Sequence, residues 1–282
     1  MKESDFITNI KPTWCVGCSN FAVRSALLKT FVKLGLKPQD IAMVFDIGCA
    51  GNSANWYKVY AFHGLHGRVI PVASGAKLAN GDLTVIGIGG DGGMYGAGIG
   101  HLLQAARGNM DITVIVSNNQ FYSLTTGQAS PTTPKGTKTK STPEGLIEMP
   151  LNPLSVAIAA DASFVARGYT GEPVHLAELI EKAIQYKGFS LIDVLQPCVT
   201  LDKIHDYSWF KERVIKLDNN WPVNDKKVAI GKAEDLDKNI PIGIFYLKER
   251  PTYQEELPFL DNRPLIKQSF NKNKLKAILK DF

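Results

Sequence analysis

Apolar residues recur at helical spacing from Asn20 to Leu34, where Phe21, Ala22, Ala26, Leu27, Leu28, Phe31, Val32 and Leu34 form one face and Gly35 supplies a stop. This pattern predicts a helix. Ile41 to Ile47 is instead a short, mainly apolar run, as are Leu83 to Ile88, Ile112 to Val116 and Ser190 to Leu195, as expected of strands buried on both faces. Between the second and third runs, Gly96 to Arg107 carries Ile99, Leu102, Leu103 and Ala106 on one helical face. Strand, helix and strand in this order imply parallel pairing through a right-handed crossover, with the carboxyl ends of the strands on one edge. Ser155 to Phe164 and Leu176 to Tyr186 also read as helices, and Asn273 to Lys280 as a short final one. Thr125 to Gly145 is rich in hydroxyl side chains and nearly devoid of apolar ones, which predicts a long surface loop. Beyond Thr200 the alternation fades among Pro-containing turns. The expected fold is an α/β parallel sheet flanked by helices over residues 1–200, followed by a less regular C-terminal extension over residues 201–282.

Composition narrows the class. The chain of 282 residues is 44% hydrophobic and 21% charged and has no apolar run long enough to span a bilayer, so disordered and membrane-spanning classes are excluded. A net charge of +5 is spread thinly, without the basic stripe and interleaved aromatics of a nucleic-acid reader. The N-terminal residues mix both charge signs and lack an apolar core segment, which points to a cytoplasmic protein with no secretory signal.

In a reducing compartment, grouped thiols bind metal or do redox work more often than they form disulfides. There are four: Cys15 and Cys18 in a C-x-x-C, Cys49 after the first strand, and Cys198 after Gln196-Pro197. The C-x-x-C has no strand pattern before it, which argues against a thioredoxin-like motif. Spacing alone does not separate a four-thiolate zinc site from an iron–sulfur cluster.

Gly87-Ile88-Gly89-Gly90-Asp91-Gly92 satisfies G-x-G-x-x-G between a strand and a helix. A dinucleotide site also needs an acidic residue at the end of the next strand, and that strand ends in Ser117-Asn118-Asn119. A metal-bridged diphosphate fits better. Asp91 and Asn119, at the carboxyl ends of neighbouring strands, can offer a carboxylate and an amide oxygen to one Mg²⁺, with the backbone carbonyl of Phe121 as a third oxygen. Gly90, Gly92 and Gly93 would let the chain approach the phosphates closely.

Gly90-Asp91-Gly92 followed by Asn118-Asn119 resembles the thiamine diphosphate fingerprint. The surrounding HLLQAARGNMDITVIVSNNQFYSLTTGQASPTT resembles the β subunit of 2-oxoacid:ferredoxin oxidoreductases, and so do Trp14-Cys15-Val16-Gly17-Cys18, Asp46-Ile47-Gly48-Cys49, His63-Gly64-Leu65-His66-Gly67-Arg68 and Gln196-Pro197-Cys198. The resemblance covers roughly the first 200 residues. It implies thiamine diphosphate and Mg²⁺ as cofactors, and one four-iron four-sulfur (4Fe-4S) cluster on Cys15, Cys18, Cys49 and Cys198. The implied reaction is oxidative decarboxylation of a 2-oxo acid to acyl-coenzyme A and CO₂, reversible in the family, with electrons passed to ferredoxin or flavodoxin. The competing reading is a non-catalytic, zinc-stabilised module that binds another phosphate ligand. The resemblance further implies that His66 and Arg68 face the thiazolium or the substrate carboxylate, and that the stretch from Thr125 to Pro134, led by Thr125, Thr126, Gly127 and Gln128, closes over the diphosphate and supplies hydroxyl and amide donors. It assigns the glutamate that activates thiamine to a partner α subunit, on which Trp209 and Trp221 of the extension would pack. Ala50-Gly51-Asn52-Ser53 and Thr125-Thr126-Gly127 lack the basic residue that 2-oxoglutarate enzymes tend to carry there. This leans the substrate toward pyruvate, although the HGLHGR segment resembles 2-oxoglutarate enzymes, and Lys58 or a partner residue could supply the charge.

Overall fold

The computed structural model describes residues 1–218, 220–236, 238–260, 263–269 and 271–280, apart from the Lys274 side chain. Helix α1 (Asn20–Lys33) precedes β1 (Ile41–Phe45), β2 (Tyr60–His63), α2 (Val69–Ala79) and β3 (Thr84–Gly90). A π-helical turn over Gly92–Ala97, closed by the Gly98 N–H on the Gly93 carbonyl, leads into α3 (Ile99–Gly108) and β4 (Thr113–Asn118). A two-residue hairpin, β5 (Phe121–Tyr122) with β6 (Gln128–Ala129), is followed by α4 (Pro153–Ala159), β7 (Phe164–Tyr169), α5 (Pro173–Gln185) and β8 (Ser190–Leu195). The last elements are α6 (Tyr207–Lys211), β9 (Val214–Lys216), α7 (Lys226–Ala233), β10 (Ile240–Leu247) and α8 (Lys272–Ile278). No described helix is long and apolar enough to cross a membrane.

Eight strands form one sheet in the order β2-β1-β3-β4-β8-β7-β10-β9, parallel throughout except where β10 runs antiparallel to β7. Strands β1, β4, β7 and β8 are buried along their whole length, which explains the mainly apolar runs of β1, β4 and β8. One face, including Val44, Val114, Val116 and Leu191, packs under α2, α3, α4 and α7. The other, including Met43, Ile86, Ile115 and Ile192, packs under α1 and α5, whose contact joins Leu27 and Phe31 to Ile180 and Ala183.

The structure corrects two expectations drawn from the sequence. The helix expected over Ser155–Phe164 ends at Ala159, and Phe164 opens a strand; Asp161 adopts a positive φ of 61° that breaks the helix. The segment beyond residue 200, expected to lack alternation, contributes β10 and β9 to the main sheet. Short, interrupted elements hide this: β9 has 3 residues, and Pro241 and Gly243 stand within β10. Trp209 and Trp221 also pack on their own chain, Trp209 under the Arg213 guanidinium and Trp221 donating to the Phe245 carbonyl.

A buried polar network ties that extension to the sheet. Arg167 on β7 donates to the carbonyls of Ala233 and Pro241 and lies 4.0 Å from Asp193 on β8. Asp193 in turn accepts from Tyr95 at 2.8 Å and from Asn118 at 3.0 Å. Arg167→Met would leave this carboxylate buried without its cation, so a loss of about 3–5 kcal/mol in urea unfolding is expected. The double variant Arg167→Met, Asp193→Leu should recover part of it. A single variant as stable as the wild type would show that the pair contributes nothing.

Candidate active site

Asp46 after β1, Gly90 and Asp91 at the end of β3, Ser117 and Asn119 around the end of β4, and Gln196 after β8 meet at the carboxyl edge of the sheet. Open parallel sheets bind ligands there. A cavity of about 220 Å³ is lined by Gly90, Asp91, Gly92, Gly93, Asn119, Phe121, Thr125, His66 and Cys49, among others. A second, of about 270 Å³, is lined by Thr126 together with Cys15, Cys18, Cys49 and Cys198. Cys49, Asn119, Ser123, Leu124 and Gln196 line both.

Asp91 is 1% exposed. Its Oδ2 accepts from the Ser130 hydroxyl and from the Thr132 hydroxyl at 2.7 Å. Burial pushes its carboxyl up to about 6 despite those two donors. A buried carboxylate with hydroxyl partners but no cation is a natural ligand for a hard metal ion. Asn119 Oδ1 accepts from the Phe121 N–H at 3.1 Å. This bond turns the chain tightly after β4, in the wall of the cavity that Asp91 also lines, and it leaves the oxygen a second lone pair.

The glycines here serve packing as much as phosphate approach. A Cβ on Gly92 would lie 2.3 Å from the Tyr122 ring, and one on Gly93 would lie 1.6 Å from Asp46 Oδ2. Gly90 alone of the three has free space beside it, with its nearest neighbour at 3.9 Å. Asp46, fully buried, accepts from the Gly67 N–H at 2.8 Å and lies 3.8 Å from His66 Nδ1, while its Oδ2 has no partner. It therefore holds both the turn that carries His66 and the imidazole itself at the cavity wall.

Three expected residues lie elsewhere. Arg68 does not line the cavity; its guanidinium turns to the carbonyls of Gly67 and Ala97. Gly127 and Gln128 line neither cavity, because the β5–β6 hairpin needs Gly127 at φ 101° and engages Gln128 with the Thr125 hydroxyl. Nor is the whole stretch from Thr125 to Gly145 a surface loop. Ser130, Thr132 and Thr133 are buried, with Thr133 Oγ1 donating to the Gln120 carbonyl. Sequence reasoning misses Asp46 and Gln196 as site residues, and it places the hydroxyls of Ser130 and Thr132 over the diphosphate, whereas here they donate to Asp91.

The four thiols converge. Burial and the neighbouring Cys18, Cys198 and Cys15 raise the Cys49 thiol to about 11, and burial likewise raises Cys18. Their segments are tied together by Trp14 Nε1 donating to the Cys49 carbonyl at 2.7 Å and Ser19 Oγ donating to the Pro197 carbonyl at 2.7 Å. Among the described residues no three His, Cys, Asp or Glu side chains are grouped closely enough to share one metal ion. The soft thiol donors surround a cavity instead, an arrangement that fits a larger metal–sulfur group.

A buried acid and a glycine turn at the carboxyl edge of a parallel sheet form a site suited to a metal-bridged phosphate ligand, and comparison with known proteins gives its class. Residues 46–194 match the C-terminal TPP-binding domain of thiamine pyrophosphate enzymes, and residues 198–262 match the C-terminal region of the pyruvate ferredoxin oxidoreductase beta subunit. The chain is 44% identical over 270 residues to a 2-oxoacid:ferredoxin oxidoreductase subunit beta of Saccharolobus solfataricus, covering 89% of this chain and 88% of that one. It is 37% identical to a 2-oxoglutarate synthase subunit KorB of Methanocaldococcus jannaschii, over 86% of this chain and 90% of the relative. It superposes with a TM-score of 0.92 and 31% identity on a chain of the 2-oxoglutarate:ferredoxin oxidoreductase from Magnetococcus marinus, solved with 2-oxoglutarate, coenzyme A and succinyl-CoA bound. The superposition covers 99% of this chain and 96% of that one. The chain belongs to the β subunits of the 2-oxoacid:ferredoxin oxidoreductases, thiamine diphosphate-dependent oxidoreductases that work with an α subunit.

Proposed function

We propose that the first cavity takes thiamine diphosphate through Mg²⁺ held by Asp91, Asn119 and the Phe121 carbonyl, and that the second takes one 4Fe-4S cluster on Cys15, Cys18, Cys49 and Cys198. The observation that carries this reading is the wall shared by the two cavities, since electrons must pass from one group to the other. When bound, thiamine diphosphate supplies a carbanion equivalent for decarboxylation of the 2-oxo acid, and the cluster supplies a one-electron acceptor. Zinc on four thiolates would draw the sulfurs within about 4 Å of one another. The open cavity favours a cluster.

This chain's residues bind, orient and exclude water. Ser130 and Thr132 hold the Asp91 carboxylate in one rotamer, so the ion site is formed before the ligand arrives. Asp46 orients His66 at the wall, where the imidazole can donate to a substrate oxygen. Ile47, Ala50 and Leu124 line the remaining wall with apolar groups that limit water. Beside the site in sequence, Val16 between Cys15 and Cys18 is 99% exposed, and Leu65 next to His66 is 77% exposed. These apolar side chains suit cover by the α subunit, with coenzyme A and ferredoxin or flavodoxin reaching the completed site. The surface of residues 201–282 belongs to the same partner-facing reading, carried by exposed Ile204 and Phe259 rather than by the tryptophans.

Ion binding should be pH-dependent. Because the folded pKa of Asp91 is raised from 3.8 to about 6, the protonated form favours folding at low pH, and that stabilisation disappears as the pH rises through about 6. The shift corresponds to about 3 kcal/mol. The cofactor-free chain is therefore expected to lose stability between pH 4 and 7, and Mg²⁺ with thiamine diphosphate to restore more at pH 7 than at pH 5. Equal thermal shifts at both pH values would show that Asp91 is not the ion's ligand.

Substrate choice follows from the wall. No lysine or arginine among the described residues lines the first cavity. A distal carboxylate would lack a cation from this chain, which favours a small neutral 2-oxo acid such as pyruvate. Anaerobic assay of the complex with both acids tests this. A preference for 2-oxoglutarate above about 100-fold, the scale of a dedicated polar contact, would mean that the partner supplies the cation.

A further inference from the structure

Asn20, the first residue of α1, is 3% exposed and stands between the two cavities. Its Nδ2 donates to Cys18 Sγ at 3.6 Å, and its Oδ1 accepts from Ser117 Oγ at 3.2 Å. Cys18 lines the cysteine cavity, and Ser117, itself 2% exposed, lines the cavity that holds Asp91. One amide thus spans from the end of β4 to a cysteine sulfur. The Ser117 hydroxyl fixes its orientation: with that donor facing Oδ1, the NH₂ group is left for the sulfur, and a flipped amide would set an oxygen lone pair against a thiolate.

We propose that Asn20 is a positioning residue that raises the reduction potential of the metal–sulfur group on the four cysteines and links it to the cofactor cavity through Ser117. The inference rests on the cluster reading above. Adding one electron makes the cluster and its thiolates more negative, and an N–H dipole aimed at one of those sulfurs stabilises the reduced form more than the oxidised form. In turnover the electron comes from oxidation of the 2-oxo acid, so a higher potential favours the forward transfer. Burial keeps water from replacing the donor, and the hydrogen bond acts in a low dielectric, where it counts most.

The test is a potentiometric titration with dithionite, followed by electron paramagnetic resonance, on the anaerobically purified complex with its α subunit. Asn20→Leu keeps approximate size and removes the donor. Its midpoint is expected to fall by about 59 mV, a tenfold weaker reduction equilibrium for one electron. Ser117→Ala retains Asn20 and Cys18 but frees the amide to rotate, and should shift the midpoint in the same direction by less. If Asn20→Leu loses iron, the Ser117→Ala midpoint decides. Full iron with midpoints equal to the wild type overturns the role of Asn20 while leaving the cluster reading intact. A wild-type complex without iron overturns the cluster reading and this inference with it.

Discussion

Asp91→Ala is expected to yield a folded protein that retains no thiamine diphosphate. Asp91 is the charged member of the proposed ion site, and its removal leaves only neutral oxygens from Asn119 and Phe121. The Ser130 and Thr132 hydroxyls that now converge on Asp91 would lose their acceptor. Loss of outer partners of metal sites costs about 10–100-fold in affinity, and a residue touching the ion should exceed that. Folding should survive, because burial already disfavours the ionised carboxylate and its loss relieves that cost. Asn119→Ala should weaken retention less, since it removes no charge. Thiamine content of the purified variants and their thermal unfolding separate the two effects. Normal thiamine diphosphate in Asp91→Ala would contradict the placement of the site.

The second large effect is the inactivity of this chain alone. No glutamate among the described residues lines the first cavity. Activation of thiamine requires a carboxyl group against its pyrimidine, which the family resemblance assigns to the α subunit. Absence of a positioned general acid–base group lowers rates by about 10²–10⁴-fold. Reduction of ferredoxin or an artificial viologen acceptor by 2-oxo acid should therefore be at background with the isolated chain and appear on addition of the α subunit. Full-rate turnover by the isolated chain would refute this division of labour.

The main strands are legible in the sequence because burial on both faces makes the runs mainly apolar, without exception in Ile41–Phe45 and with only Ser190 and Asp193 polar in Ser190–Leu195. Asp91, Asn119, Cys49 and Cys198 are legible because they follow such runs, and Cys15 and Cys18 because they form a C-x-x-C. Phe164–Tyr169 is not: Arg167 and Gly168 interrupt its apolar pattern, and Arg167 is buried only because Asp193 and two distant carbonyls receive it. Asp46 escapes notice, and so does the acceptor of Ser130, for a related reason. Asp46 meets the Gly67 turn and His66, and Ser130 meets Asp91 across 39 residues, so neither contact exists until the chain has folded. The place of Arg68 is not legible: His66 lines the cavity, whereas the Arg68 guanidinium, two residues on, meets the Gly67 and Ala97 carbonyls.

The central claim is that one edge of the sheet holds thiamine diphosphate beside an iron–sulfur cluster. It is tested most directly by metal and thiamine analysis of the complex purified without oxygen. The expected content is one thiamine diphosphate, one Mg²⁺ and about four irons on the four cysteines of each chain. A colourless protein with one zinc per chain and no iron would contradict it.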